Sequence, residues 1–203
     1  GPSNALNIVR NLAALRPHAI LMVGHCGGLR RTQSLGAFVL GEGYFRDDHV
    51  LNEKVPSNIP IPPIAEINNS LRQAVIEVSG IAPHEYKRWL ESGTIATTGD
   101  RGWEIDEDLR QRIIDSRALA VDMESATVAA CGFLYRVPYG TLLRISDKPL
   151  HGELKLQGMA QKFYRDSVDH HLQAALRAVE ILRQDPDQVH SRKLRTADGP
   201  TFR

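Results

Sequence analysis

Four carboxylates stand where short β-branched or apolar runs give way to loops or helices: Asp100 after Thr94–Thr98, Asp122 and Glu124 on either side of Met123, and Asp147 after Thr141–Ser146. A carboxylate at the carboxyl end of a buried strand lies at the ligand crevice of an α/β sheet, and partial desolvation there raises its pKa toward general-acid use. Taken singly, each reads equally well as a helix N-cap or half of a surface ion pair. Three strand ends with the same chemistry point instead to a site. Glu124 at a helix start complements the macrodipole, but the same carboxylate can accept two hydrogen bonds from a vicinal diol. Met123 is either core or a thioether against the face of a sugar, and Trp103 either a satellite of the core or a stacking platform for a planar base. His25 and Cys26 lie in the glycine-rich segment Gly24-His25-Cys26-Gly27-Gly28, with Arg30 and Arg31 behind it. Arg101, Arg144, Lys148 and His151 lie close in sequence to the acids. Such cations pair at the surface by default and bind phosphate where a crevice gathers them. The residues by themselves describe a crevice suited to an anionic small molecule.

Those positions need strands to present them. Ala19–Val23 is a continuous apolar run that suits a buried parallel strand, with the glycine-rich segment as a turn at its carboxyl end. A helix capped by Ser3 or Asn4 and running through Leu6, Ile8, Val9, Leu12 and Leu15 precedes it. Ala37–Phe45 reads as a second strand, and Pro56, Pro60, Pro62 and Pro63 enforce an extended loop. Ile64, Ile67, Leu71, Val75 and Val78 recur at helical spacing up to a stop at Gly80. Thr94–Thr98 is a strand, Glu104–Ser116 a helix with Leu109, Ile113 and Ile114 inward, and Ala118–Met123 a strand. A helix over Glu124–Tyr135, a strand over Tyr139–Ser146 and a long helix from about Gly158 to Arg183 follow, the last with Phe163, Leu172, Leu176, Val179 and Leu182 as its core stripe. Strands alternating with helices predict an α/β sandwich with a largely parallel or mixed sheet.

Bulk properties narrow the partners. The chain has 203 residues, 42% hydrophobic and 24% charged, which fits one globular unit with a real core. Its 25 Lys and Arg offset 24 Asp and Glu to a net charge of +1, so no global field draws it to nucleic acid or an anionic membrane. No apolar run approaches the ~20 residues that span a bilayer, and no secretory signal opens the chain. Two cysteines, Cys26 and Cys131, read as reduced thiols of a cytoplasmic protein, and neither has metal-ligand spacing. Residues 1–184 form the expected domain. Residues 185–203 turn polar and basic, either a solvated tail or a segment that docks on a partner subunit.

The segments VDMESATVAA, LLRISDKPLHGELKL and TTGDRGWE, with MVGHCGGLRR upstream and the terminal HSRKLR, resemble the catalytic region of the bacterial AMP nucleosidase family within the purine nucleoside phosphorylase superfamily. The resemblance runs nearly end to end and is most specific in VDMES and ISDKPLHGE. It implies a three-layer α/β/α sandwich with a mixed central sheet and hydrolysis of AMP to adenine and ribose 5-phosphate, with no metal or organic cofactor. Carried over position by position, Glu124 holds the ribose hydroxyls, Met123 lies against the sugar, Asp147 protonates or hydrogen-bonds N7 of the purine, and Trp103 stands beside the base. His25 and Cys26 line the phosphate or nucleophile side, and Asp100 joins the substrate-binding candidates as a strand-end acid. For the 5′-phosphate the motifs match no residue, and Lys148 or Arg101 is taken as the cation by its nearness to the acids in sequence. A homo-oligomer, trimer or hexamer, is implied as well. Superfamily members place strands ahead of the GPSNA segment, so the resemblance implies a chain that keeps the base and ribose half of the pocket and lacks part of the water or phosphate half.

Overall fold

A computed structural model describes residues 1–82, 84–152 and 157–189, the last range without side chains before residue 168. Among the described residues five strands and six α-helices follow one another as α1 Pro2–Ala14, β1 Ile20–Gly28, β2 Phe38–Asp47, α2 Ala65–Ser79, α3 Tyr86–Trp89, β3 Leu90–Thr98, α4 Glu107–Asp115, β4 Ala120–Asp122, α5 Ser125–Tyr135, β5 Tyr139–Asp147 and α6 Gln157–Gln184. The mixed α/β fold expected from the sequence is present. Its sheet closes on itself in the order β1-β4-β3-β2-β5, with β5 returning to β1. Pairs β1/β5, β2/β3 and β3/β4 are parallel, and β1/β4 and β2/β5 antiparallel.

Closure explains one apolar set. Cys26, Val39, Ile95, Ala120, Leu143 and Ile145, drawn from all five strands, form one buried cluster, as the interior of a closed sheet requires. A larger cluster joins the sheet to α1, α2, α5 and α6. Each buried Leu, Ile or Val in it contributes roughly 1.5–3 kcal/mol by leaving water. A third cluster packs Trp103 with Leu109, Ile113, Ala118 and Val121 beneath α4.

Several local expectations change. The segment Gly24–Gly28 is strand, not turn: β1 runs on to Gly28 because Gly27 and Gly28 pair with Val121 and Ala120 of β4. Helix α1 is capped at Gly1 rather than at Ser3 or Asn4, with Pro2 at the first helical position, where its fixed φ and missing N–H are tolerated. Helix α4 begins at Glu107 because Asp106 caps it, its side chain accepting from Leu109 N at 2.9 Å. Ile114 of that helix is exposed while Leu109 and Ile113 are buried. Gly80 ends α2 in the left-handed conformation, φ 60°, as its position predicts.

Helix α6 differs most. Leu172, Leu176 and Val179 face outward at 49%, 55% and 40% exposure, and His171, Ala174, Ala175 and Ala178 are buried instead. Small residues let α6 lie close against α2, where Arg177 Nε reaches Glu77 at 2.6 Å. The side chain of Phe163 and the tail beyond residue 189 lie outside the described residues. Among those described, no helix is long and apolar enough to cross a membrane.

Candidate active site

Strand register assembles one cleft. Parallel pairing sets Thr97 opposite Asp122, Asp47 opposite Thr98 and Gly27 opposite Asp147, while antiparallel pairing sets Gly27 opposite Val121. The carboxyl ends of β1, β3, β4 and β5 therefore meet. Between Cys26 and Gly27 the β1/β5 register shifts, leaving Ser146 as the extra residue of a bulge. A bulge breaks the alternation of faces and re-aims the next side chain, here Asp147. The resulting open cleft is lined by Gly27, Thr98, Asp100, Arg101, Trp103, Glu104, Val121, Asp122, Met123, Asp147 and Pro149.

Asp147 is half-buried, and its Oδ1 accepts a 2.5 Å hydrogen bond from the Ser146 hydroxyl, which also lies 3.3 Å from the Cys26 carbonyl. A hydroxyl so placed supports the carboxylate by donating to it. It can turn to the carbonyl when the carboxyl carries the proton.

The VDMES segment is held by a network the sequence does not announce. Asp122 Oδ1 accepts from Thr97 Oγ1 at 2.6 Å, and Oδ2 accepts from Ser125 N at 2.8 Å and from Ser125 Oγ at 2.5 Å. Thr97 Oγ1 accepts in turn from Ala126 N at 2.9 Å. The first N–H groups of α5 are thus satisfied by Asp122 and Thr97, which leaves the carboxylate of Glu124, at the N-cap position, free of capping duty. Burial lifts Asp122 to about pKa 6 against the opposing pull of its Ser125 and Thr97 bonds. Glu124 itself is half-buried beside Met123, with Oε1 2.5 Å from the backbone nitrogen of Gly1 at the head of α1.

Trp103 is 6% exposed, part of the third core cluster and at the same time a wall of the cleft, so the two readings of it combine. Asp100 shapes the loop: its Oδ1 accepts from Gly102 N at 2.7 Å and its own N–H donates to Thr98 Oγ1. Arg101 is exposed and is the one cation lining the cleft among the described residues.

Other candidates lie apart from the cleft surface. The Lys148 ammonium donates to the carbonyls of Gln33, at 3.0 Å, and Arg31, at 3.4 Å, and its side chain is buried. The ring of His25 stands edge-on to that of His171 on α6 at 5.8 Å. Cys26 is buried in the sheet interior, where desolvation, then the charges of Asp122 and Asp147, push its thiol well up. Residues whose place at the site no sequence pattern marks are Asp122's partners Thr97 and Ser125, the bulge residue Ser146, and Glu104, which follows Trp103. Among the described residues no group of three His, Cys, Asp or Glu side chains is placed to hold a metal ion.

Residues 1–200 match the sequence profile of the Phosphorylase superfamily. The chain belongs to that superfamily. AMP nucleosidase of Escherichia coli strain K12 is 53% identical over 204 aligned positions, which take in all of this chain and 42% of that protein, and the same values hold for strain O157:H7. The chain thus spans under half the length of these curated relatives. The crystal structure of AMP nucleosidase from Bacteroides thetaiotaomicron superposes with a TM-score of 0.71 at 29% identity, over 92% of this chain and 70% of that one. A Helicobacter pylori 5′-methylthioadenosine/S-adenosyl homocysteine nucleosidase superposes with a TM-score of 0.69 at 20% identity, over 90% of this chain and 77% of that one. That second likeness shows the shared superfamily fold.

Proposed function

We propose that this chain carries the machinery for N-glycosidic hydrolysis of AMP, releasing adenine and ribose 5-phosphate. The reading rests on one conjunction: Asp147, Met123 and Trp103 line a single cleft in a chain 53% identical to E. coli AMP nucleosidase. Adenine anion is a poor leaving group, so the purine must gain a proton as the bond to ribose breaks. Asp147 delivers it to N7, and the Ser146 hydroxyl turns from the Cys26 carbonyl to donate to the carboxylate that forms. The departing base leaves a cationic ribosyl centre. Glu124 grips the 2′- and 3′-hydroxyls and offsets that charge, and the Asp122 network holds the Met123-Glu124 backbone where the sugar binds. Trp103 stacks on the base. Arg101 is the cation for the 5′-phosphate, Asp100 shapes the loop that carries it, and Lys148, His25 and Cys26, which lie apart from the cleft surface, act through the backbone that forms it. Water then forms the new C–O bond at the anomeric carbon as the C–N bond to adenine breaks, and the proton it loses passes through solvent to restore Asp147. Chemistry of this kind needs no metal or organic cofactor.

Residues 1–184 form the catalytic unit and residues 185–203 a basic tail. The outward apolar stripes Val168, Leu172, Leu176 and Val179 on α6, and Ile8, Leu12 and Leu15 on α1, suit coverage by further copies of the chain in a trimer or hexamer. A cytoplasmic role in AMP metabolism and purine salvage fits the substrate.

Incubation with AMP and chromatography of the products tests the reading. Adenine and ribose 5-phosphate should appear at a rate that does not depend on inorganic phosphate. Base release that requires phosphate would reassign the chain to phosphorolysis. Calorimetric binding of AMP without turnover would leave a nucleotide-binding module.

A further inference from the structure

The polar groups of the cleft are unequally committed. Both oxygens of Asp122 are engaged by Thr97 and Ser125, Asp100 Oδ1 is taken by Gly102 N, and Asp147 Oδ1 by Ser146. Among the described residues nothing hydrogen-bonds the carboxylate of Glu104, which stands at the exposed edge of the same cleft. Its backbone is fixed. The turn over residues 101–105 is closed by Ile105 N to Gly102 O at 2.9 Å, Asp106 anchors the following helix, and Trp103 beside it is locked into the core. Glu104 and Asp147 line the same cleft, and desolvation first, then the charge of Asp147, raise the Glu104 pKa from its ordinary value.

Purine chemistry gives this pair a use. Adenine presents on one edge the N7 acceptor beside the 6-amino donor, whereas 6-oxopurines present two acceptors there. An acid that addresses N7 therefore has the 6-substituent as its neighbour, and an uncommitted carboxylate on that side accepts from an amino group and repels a carbonyl oxygen.

We propose that Glu104 is a specificity-determining residue that accepts a hydrogen bond from the 6-amino group of the bound purine and excludes 6-oxopurines. The proposal builds on the assignment of Asp147 to N7 in the proposed function. A site made to bind an N–H rejects the analogue lacking it, because its own polar group is left unpaired.

Binding of adenine and of hypoxanthine to the wild-type chain and to Glu104→Gln, measured by calorimetry, tests it without requiring turnover. The wild-type chain should prefer adenine, and Glu104→Gln should cut that preference by about tenfold or more, because an amide can donate to O6. Glu104→Lys should move the preference further the same way. Where AMP is hydrolysed, the ratio of kcat/KM for AMP over IMP should fall in parallel. An adenine-to-hypoxanthine ratio unchanged in both folded variants, or a wild-type chain that binds neither base, overturns the assignment. Adenine binding with the expected shift but no adenine release from AMP overturns the hydrolase reading and leaves Glu104 in place.

Discussion

The carboxyl ends of β3, β4 and β5 and the carboxyl half of β1 meet at the same cleft, but they serve it in different ways. The first three contribute side chains: Thr98, Asp122, Met123 and Asp147 line the cavity, each aimed by a hydrogen bond, a helix start or a bulge. The glycine-rich end of β1 contributes backbone and absence of bulk. Only Gly27 reaches the lining, while Cys26 fills the sheet interior and His25 faces α6. A segment dense in glycine therefore marks close packing here. A Cβ on Gly28 would come within 2.8 Å of Gln33 Oε1 and 3.0 Å of Ile145 Cγ2.

The contrast breaks most sharply at Asp147. Asp147→Asn should lower adenine release by about 10²–10⁴-fold with an unchanged melting temperature, the size expected for loss of a general acid. A variant of near wild-type rate would return the acid role to another strand end.

Next comes Asp122, whose effect should fall on stability as well as turnover. Its folded pKa of about 6 lies above the ordinary value of 3.8, so the folded chain binds more protons between those limits and loses stability as pH rises through them. The stability margin of wild type over Asp122→Asn should therefore narrow from pH 4 to pH 6 in denaturant titrations. A margin constant across that interval would mean that burial does not control this group.

On the β1 side the expected effects are structural. Gly28→Ala should cost about 1–3 kcal/mol in chemical denaturation, because the new methyl group overpacks Gln33 and Ile145. A neutral result would show that the neighbours yield freely. The smallest effect belongs to the thiols. Cys26 and Cys131 are buried with their pKa values raised, Cys131 to about 11, so alkylation at pH 8 should be at least about tenfold slower in the native chain than in denaturant. Rapid native labelling of Cys26 would instead give the glycine segment an open, reactive face.

Much of this was legible in the chain. The alternation of strands and helices, the acids at strand ends and the Gly80 stop all follow from local rules. Other features were not, for identifiable reasons. Thr97 and Ser125 look like ordinary β-propensity and helix-start residues until pairing brings them to one carboxylate. Of the stripe expected on α6, Leu182 packs against the core but Leu172, Leu176 and Val179 face outward, because the partner helix selects small residues at the contact while composition favours the large apolar ones. Glu104 looked like the start of a helix that begins three residues later at Asp106's cap.

The sequence by itself determined which groups with chemistry exist, which of the acids stand at strand ends, and, through its motifs, the family. Tertiary structure decided which of them share a cavity. That choice depends on β1 pairing with β5 across some 120 residues of chain, on a one-residue bulge at Ser146 and on closure of the sheet. Strand register is set by contacts distant in sequence, and a one-residue shift sends a side chain to the opposite face, so no local pattern could have specified it.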